Sequence, residues 1–130
     1  MRYYNEIFVL TCASVASFYV DKHRGCEDLK LFTHHVFNII LHFGWLTNDP
    51  VLLKLYLFAP LVTMIHWVVN DNRCTVTEQY NIACNLPKET PFNDIINIVG
   101  LKRYGWWNNL GHYIYLTLVF FTAVLKLTTA

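Results

Sequence analysis

The chain has 130 residues, of which 55% are hydrophobic and 15% charged, with a formal net charge of +1. That length suits one domain, and the charged share lies well under the roughly 25% usual in soluble domains. A soluble chain this small buries too little of its surface to hide so much apolar area, so the composition points into a bilayer and excludes the basic footprint of a nucleic-acid binder.

The expected architecture is all-α: a single membrane domain with about four transmembrane helices and short interfacial helices, since a bilayer core takes about 20 apolar residues per helix. The first span covers about residues 3–20, where Glu6 is the sole acid and lies near the start. Small residues Ala13, Ser14 and Ala16 also permit a cleavable signal peptide; a retained anchor is the preferred reading. Asp21 to Asp28 is dense in charge and reads as a solvated loop.

The second span, about 29–46, carries Lys30, His34, Asn38 and His42 at helical spacing, so it either crosses with its polar stripe turned to other helices or lies in the interface. Crossing is favoured, because Thr47, Asn48, Asp49 and Pro50 form a tight turn into the third span, about 51–69. Within that span Lys54 can snorkel and Pro60 introduces a kink.

Residues 70–109 form the sizeable extramembrane region. Thr75 and Glu78 have the spacing of a capping box, which predicts a short helix from about Val76 to Asn85, ended by Pro87. Thr90 and Pro91 start a second, amphipathic helix with Phe92, Ile95, Ile96 and Val99 on one face and Asn93, Asp94 and Asn97 opposite. Lys102, Arg103, Tyr104, Trp106 and Trp107 then give the basic and aromatic mixture of a headgroup layer. The last span, about 110–127, has His112 near one end and Lys126 near the other.

Four crossings bring both termini to one face and the loops to the other. Lys22, Arg24, Lys30, Arg73, Lys88, Lys102 and Arg103 lie on the loop face, against Arg2, Lys54 and Lys126 on the termini face, so the positive-inside rule makes the loop face cytosolic. Cys12, Cys26, Cys74 and Cys84 have neither CxxC spacing nor the density of a disulfide scaffold. Cys26, Cys74 and Cys84 are expected as reduced thiols.

His34, His66 and His112 fall at one depth near the loop face, with His35 and Asp71 close in sequence. Ionisable groups at membrane depth raise a metal, haem or proton-handling hypothesis. The stronger reading is that they hydrogen-bond to Asn38, Asn70 or backbone and hold helices together. His34 and His42 stand about 12 Å apart along a helix, too far for one metal. No nucleophile elbow or phosphate loop is present, so the expectation is a non-enzyme without cofactor or metal. A pore lined by the polar stripe would require an oligomer.

From His66 to Glu78 the chain reads His-Trp-Val-Val-Asn-Asp-Asn-Arg-Cys-Thr-Val-Thr-Glu. This resembles a His-Trp-x-x-Asn-x-Asn-x-Cys-x-Leu-Thr-x-x-Glu run in small multispanning membrane proteins of large eukaryotic DNA viruses, with Val76 in place of the leucine and the glutamate earlier. The resemblance implies a minor capsid component of the virion's internal membrane, linking membrane to capsid on the loop face.

The expected function is therefore a membrane-anchored structural scaffold whose partners are the bilayer and other structural proteins. Arg73, Lys102, Arg103, Tyr104, Trp106 and Trp107 are the expected interface residues. The rivals are an accessory subunit of a cellular complex, such as a respiratory one in the mitochondrial membrane or one in the endoplasmic reticulum, and a haem- or metal-binding redox protein using the three histidines.

Overall fold

A computed structural model describes residues 3–21, 29–92 and 95–129. Arg2, the charged loop from Lys22 to Asp28, Asn93 and Asp94 lie outside the described residues, as does the side chain of Lys30. The helices run in the order α1 Tyr4–Asp21, α2 Leu29–Phe43, α3 Pro50–Tyr56, α4 Phe58–Val69, α5 Thr75–Ala83, α6 Ile95–Ile98 and α7 His112–Thr129. Among the described residues there is no strand, so the fold is all-α.

The turn between α2 and α3 is built from its own side chains. Asp49 N-caps α3, its carboxylate accepting from the N–H groups of Val51 and Leu52 at 2.9 and 3.0 Å. Pro50 occupies the first helical position, where no N–H is needed. On the other side Gly44–Leu46 tightens into a 3-10 turn whose carbonyls would end unsatisfied. Lys126 of α7 donates to the carbonyls of Trp45, Leu46 and Thr47 at 3.0, 3.3 and 2.6 Å, pinning the end of α7 to this turn. Lys126→Met is expected to lower stability by about 1.5 to 3 kcal/mol, the range for hydrogen bonds to a charged group. Reversible unfolding in mixed micelles checks it; an unchanged midpoint would show that the ammonium contributes nothing there.

α3 and α4 form one bent rod. Pro60 cannot donate to the carbonyl of Tyr56, and its ring crowds that carbonyl, so the helix yields at Leu57 just before it. Leu41 of α2, Leu53 and Tyr56 of α3, and Leu116, Val119 and Ala123 of α7 make the main core. Tyr56 lies close to the α2 end because residue 44 is glycine: a Cβ there would come within 2.5 Å of the tyrosine ring. The phenol then donates to the Leu41 carbonyl at 2.9 Å.

A buried polar chain fixes α1 to α2. His35, wholly buried, meets Ser17 Oγ at 2.7 Å through Nδ1 and Asp21 Oδ2 at 3.1 Å through Nε2. Asp21, assigned on sequence to the solvated loop, instead ends α1 at 1% exposure. Among the described side chains of α1, the buried ones are Ser14, Ser17 and Asp21 in its second half, while Tyr4, Ile7, Phe8 and Val9 are exposed. Between the first half of α1 and α2–α3 lies an apolar groove of about 650 Å³.

Beside that apolar core, polarity is in part inverted relative to a soluble bundle. Ser14, Ser17, His35, Asn38, His42 and Thr63 are buried, whereas Phe58, Ile65, Val69, Leu118, Phe121 and Leu125 are turned outward. Pro50–Val69, 20 residues, and Asn109–Thr129, 21 residues, are long and apolar enough to cross a bilayer, and only 22% of each is buried.

The cap over this bundle departs from expectation in two places. Thr75 is the first residue of α5 and not its cap; Cys74 holds the cap position, and its side chain makes no capping hydrogen bond. His66 replaces the capping box, its Nε2 accepting the Thr75 N–H at 3.1 Å, while Asn70 donates to the Thr75 hydroxyl at 3.3 Å. The second cap helix is also shorter than its periodicity predicts. α6 is a single turn, Gly100 reverses the chain at φ 80°, and Val99 is exposed while Phe92 is buried against Leu31 and Tyr80.

Candidate functional site

The loop face contains a mixed polar cavity of about 290 Å³ between the bundle and the cap. Its bundle side is formed by Asn38 and His42 of α2, Trp67 of α4 and His112 of α7. Its cap side is formed by Cys74, Thr77 and Glu78 around the start of α5 and by Lys88 and Lys102. The motif that carries the viral resemblance runs along one wall: Trp67, Asn72, Cys74 and Thr77 line the cavity, while His66 and Asn70 shape the turn behind it.

That wall owes its shape to the end of α4. Asp71 and Asn72 adopt left-handed backbone, at φ 51° and 61°, a conformation these two residue types tolerate better than most. The Asn72 N–H closes back on the Trp67 carbonyl at 2.7 Å, and its side-chain oxygen accepts from the Tyr113 hydroxyl of α7. Chain reversal, helix end and contact with α7 thus fall on a few consecutive residues.

The three histidines singled out on sequence all lie near this face but do not share a ligand. His34 Nε2 meets the Cys74 thiol at 3.3 Å, and its ring lies 4.0 Å from that of Phe92. His66 caps α5. His112 packs edge-on to Trp67 at 4.4 Å, one ring nitrogen hydrogen-bonds the Trp107 backbone, and its Nε2 is buried with no hydrogen-bond partner. Among the described residues, no three His, Cys, Asp or Glu side chains converge to hold a metal ion.

His42 fits the cavity floor better than its place on a polar stripe suggested. Its Nδ1 donates to the Asn38 carbonyl at 2.8 Å, and the ring stacks on Tyr115 at 5.7 Å. The Tyr115 hydroxyl in turn donates to the His42 carbonyl at 2.5 Å.

Charged groups gather at the cavity mouth. Glu78, only 8% exposed, lies 3.4 Å from Arg73 and 3.8 Å from Lys88. Lys102 donates to the Phe92 carbonyl at 2.7 Å and lies over its ring. Arg73 and Lys102, expected to contact a partner, are thus engaged within the cap, and Trp107 is buried at 9% exposure. The wide π-type turn Trp107–Gly111 rotates Trp107 inward against Trp106 and Tyr115. Arg103, Tyr104 and Trp106 remain on the outside.

Cys84 is disulfide-bonded, whereas Cys12 and Cys74 are free thiols. The expectation of a reduced thiol at Cys84 is corrected accordingly; the spacing and density of cysteines along a chain do not report on their pairing in the fold. In the chain denatured without reductant, maleimide is expected to label Cys12 and Cys74 and to reach Cys84 only after reduction. Labelling of Cys84 before reduction would remove the crosslink.

No protein-family model, curated protein or solved structure matches the chain.

Proposed function

We propose that this chain is a membrane-embedded structural protein, a four-span helical anchor whose cap, residues 70–109, docks a partner protein. The observation that carries this reading is the polarity of the bundle: large apolar side chains are turned outward on all four long helices, while Ser14, Ser17, His35, Asn38 and His42 of α1 and α2 are buried. A contiguous apolar surface of this kind is unusual on a monomer in water; in lipid it is solvated. α1 and α2 are less apolar or shorter than the other two spans, yet α2 packs on α4 and α1 on α2, with Ser14, Ser17, Asp21, His35, Asn38 and His42 turned inside.

Docking is supported by the outer side of the cap, where Tyr104 and Trp106 are 50% and 60% exposed next to Arg103. Aromatic and arginine side chains of this kind dominate interface energetics. A photo-crosslinkable residue at Trp106, in native membranes, is expected to capture one protein partner reproducibly. Recovery of lipid adducts alone would reassign the aromatics to headgroup anchoring and end the docking proposal.

A second address is favoured by Cys84. A capsid-facing cap, as the viral resemblance implies, belongs on the reducing cytosolic side, whereas a disulfide persists in an oxidising compartment. That favours an accessory subunit of a cellular membrane complex, with its cap on the lumenal or intermembrane side and the charge-based orientation reversed. Protease protection of a tag placed in the cap of sealed vesicles decides between the two.

A further inference from the structure

We propose that the cap cavity binds a phosphate ester that also carries a hydrogen-bond-donating end, an ammonium or a hydroxyl, the chemistry of an ethanolamine or glycerol phospholipid headgroup.

Two buried side-chain atoms on residues that line the cavity, Thr77 Oγ1 and His112 Nε2, have no hydrogen-bond partner, and a third, Glu78 Oε1, meets Arg73 and Lys88 at ion-pair but not at hydrogen-bond geometry. Thr77 is 9% exposed, so its hydroxyl is not turned to bulk water. Buried polar groups without partners are rare and costly, and a cluster of them around one cavity calls for an occupant. Two of the three can only accept. Glu78 is a carboxylate, and His112, with its other ring nitrogen donating to the Trp107 backbone, presents a lone pair at Nε2. An occupant must therefore donate hydrogen bonds on this side.

The mouth asks for the opposite. Arg73 and Lys88 approach Glu78 at 3.4 and 3.8 Å, well beyond the roughly 2.7–2.9 Å of a charge-assisted hydrogen bond, so both cations retain donor capacity. An anion with several acceptor oxygens can take up that capacity on the side of these cations away from Glu78, with Lys102 as a third cation against the Glu78 and Glu89 carboxylates that also line the cavity. The volume of about 290 Å³ equals that of roughly ten water molecules, enough for a phosphate with a two- or three-carbon arm. Depth agrees as well: the cavity opens at the loop face, where headgroups lie, and reaches down to His42.

The inference rests on the membrane reading only for the source of the ligand, and is independent of partner docking. The purified full chain, in a neutral detergent, is offered phosphoethanolamine as a soluble probe, followed by calorimetry. In parallel it is reconstituted in nanodiscs of phosphatidylcholine doped with phosphatidylethanolamine or phosphatidylglycerol, and retained lipid is read by native mass spectrometry.

Retention of the donor-bearing lipids over phosphatidylcholine by about tenfold, with competition by phosphoethanolamine, is the expected result for a headgroup site. Binding of the soluble probe without lipid enrichment supports the same site with a soluble ligand. Thr77→Val keeps the side-chain shape and removes an unmet hydroxyl, so it is expected to leave thermal stability unchanged or higher while weakening binding about tenfold. Lys88→Gln, at a half-exposed position, is expected to weaken binding comparably without disturbing the fold. Absence of binding in both arms overturns the proposal, as does equal retention of phosphatidylcholine with Thr77→Val indistinguishable from the parent.

Discussion

Replacing Asp21 with alanine is expected to detach α1 from the bundle and to lower stability by about 3 to 5 kcal/mol, the range for removing one partner of a buried pair. The carboxylate at 1% exposure and the fully buried His35 imidazole satisfy one another at 3.1 Å, and Ser17 completes the chain on the other ring nitrogen. Without Asp21 the Nε2 side of His35 keeps its desolvation but loses its acceptor. Asp21→Asn retains an acceptor and is expected to cost much less. Thermal unfolding in micelles, combined with crosslinking between engineered cysteines on α1 and α2, separates local release from global loss. A bundle equally stable with alanine at 21 would mean that Ser14, Ser17 and apolar packing hold α1 unaided.

The second large effect concerns solvent identity. Leu118 lies mid-way along α7 at 62% exposure, flanked by the buried Leu116 and Val119. On the surface of a water-soluble bundle, Leu118→Arg is harmless; facing hydrocarbon at the centre of a span, it costs about 2.5 to 3.5 kcal/mol of insertion free energy. A marked fall in carbonate-resistant, membrane-integrated protein is the expected outcome. Thr128→Arg, one residue from the end of α7, serves as control because its charge reaches the interface by snorkelling. If Leu118→Arg integrates as well as the parent, α7 does not face lipid and the inverted polarity needs another explanation.

The long helices were legible because each depends on a local signal: unbroken apolar runs, the Asn-Asp-Pro turn at 48–50, and Pro60 as the cause of a bend. What escaped were features that depend on distant partners. Asp21 looked like the first residue of a charged loop, and only the approach of His35 on α2 turns it into a buried group. Thr75 and Glu78 had capping-box spacing, but His66, nine residues upstream, reached the same N–H first.

Within the candidate site, the sequence placed His34, His66 and His112 at a common depth without indicating that each would find a separate neighbour. Trp107 shared its basic and aromatic surroundings with Trp106, and nothing local announced the wide turn that buries one and exposes the other. Thr77 passed unnoticed because a threonine within a short helix is ordinary; its signal is a missing hydrogen bond, which only coordinates reveal.

The one-ended attachment of α1 has a mechanical consequence. With burial beginning only at Ser14, the ten residues from Tyr4 to Ala13 form a lever held from one end, by Ser14, Ser17 and Asp21. At roughly 1.5 Å per residue, a tilt of a few degrees at the pivot becomes a displacement of an ångström or more at Asn5. A change in the tilt of this arm would widen or narrow the cleft that it lines together with Phe43 and Leu52.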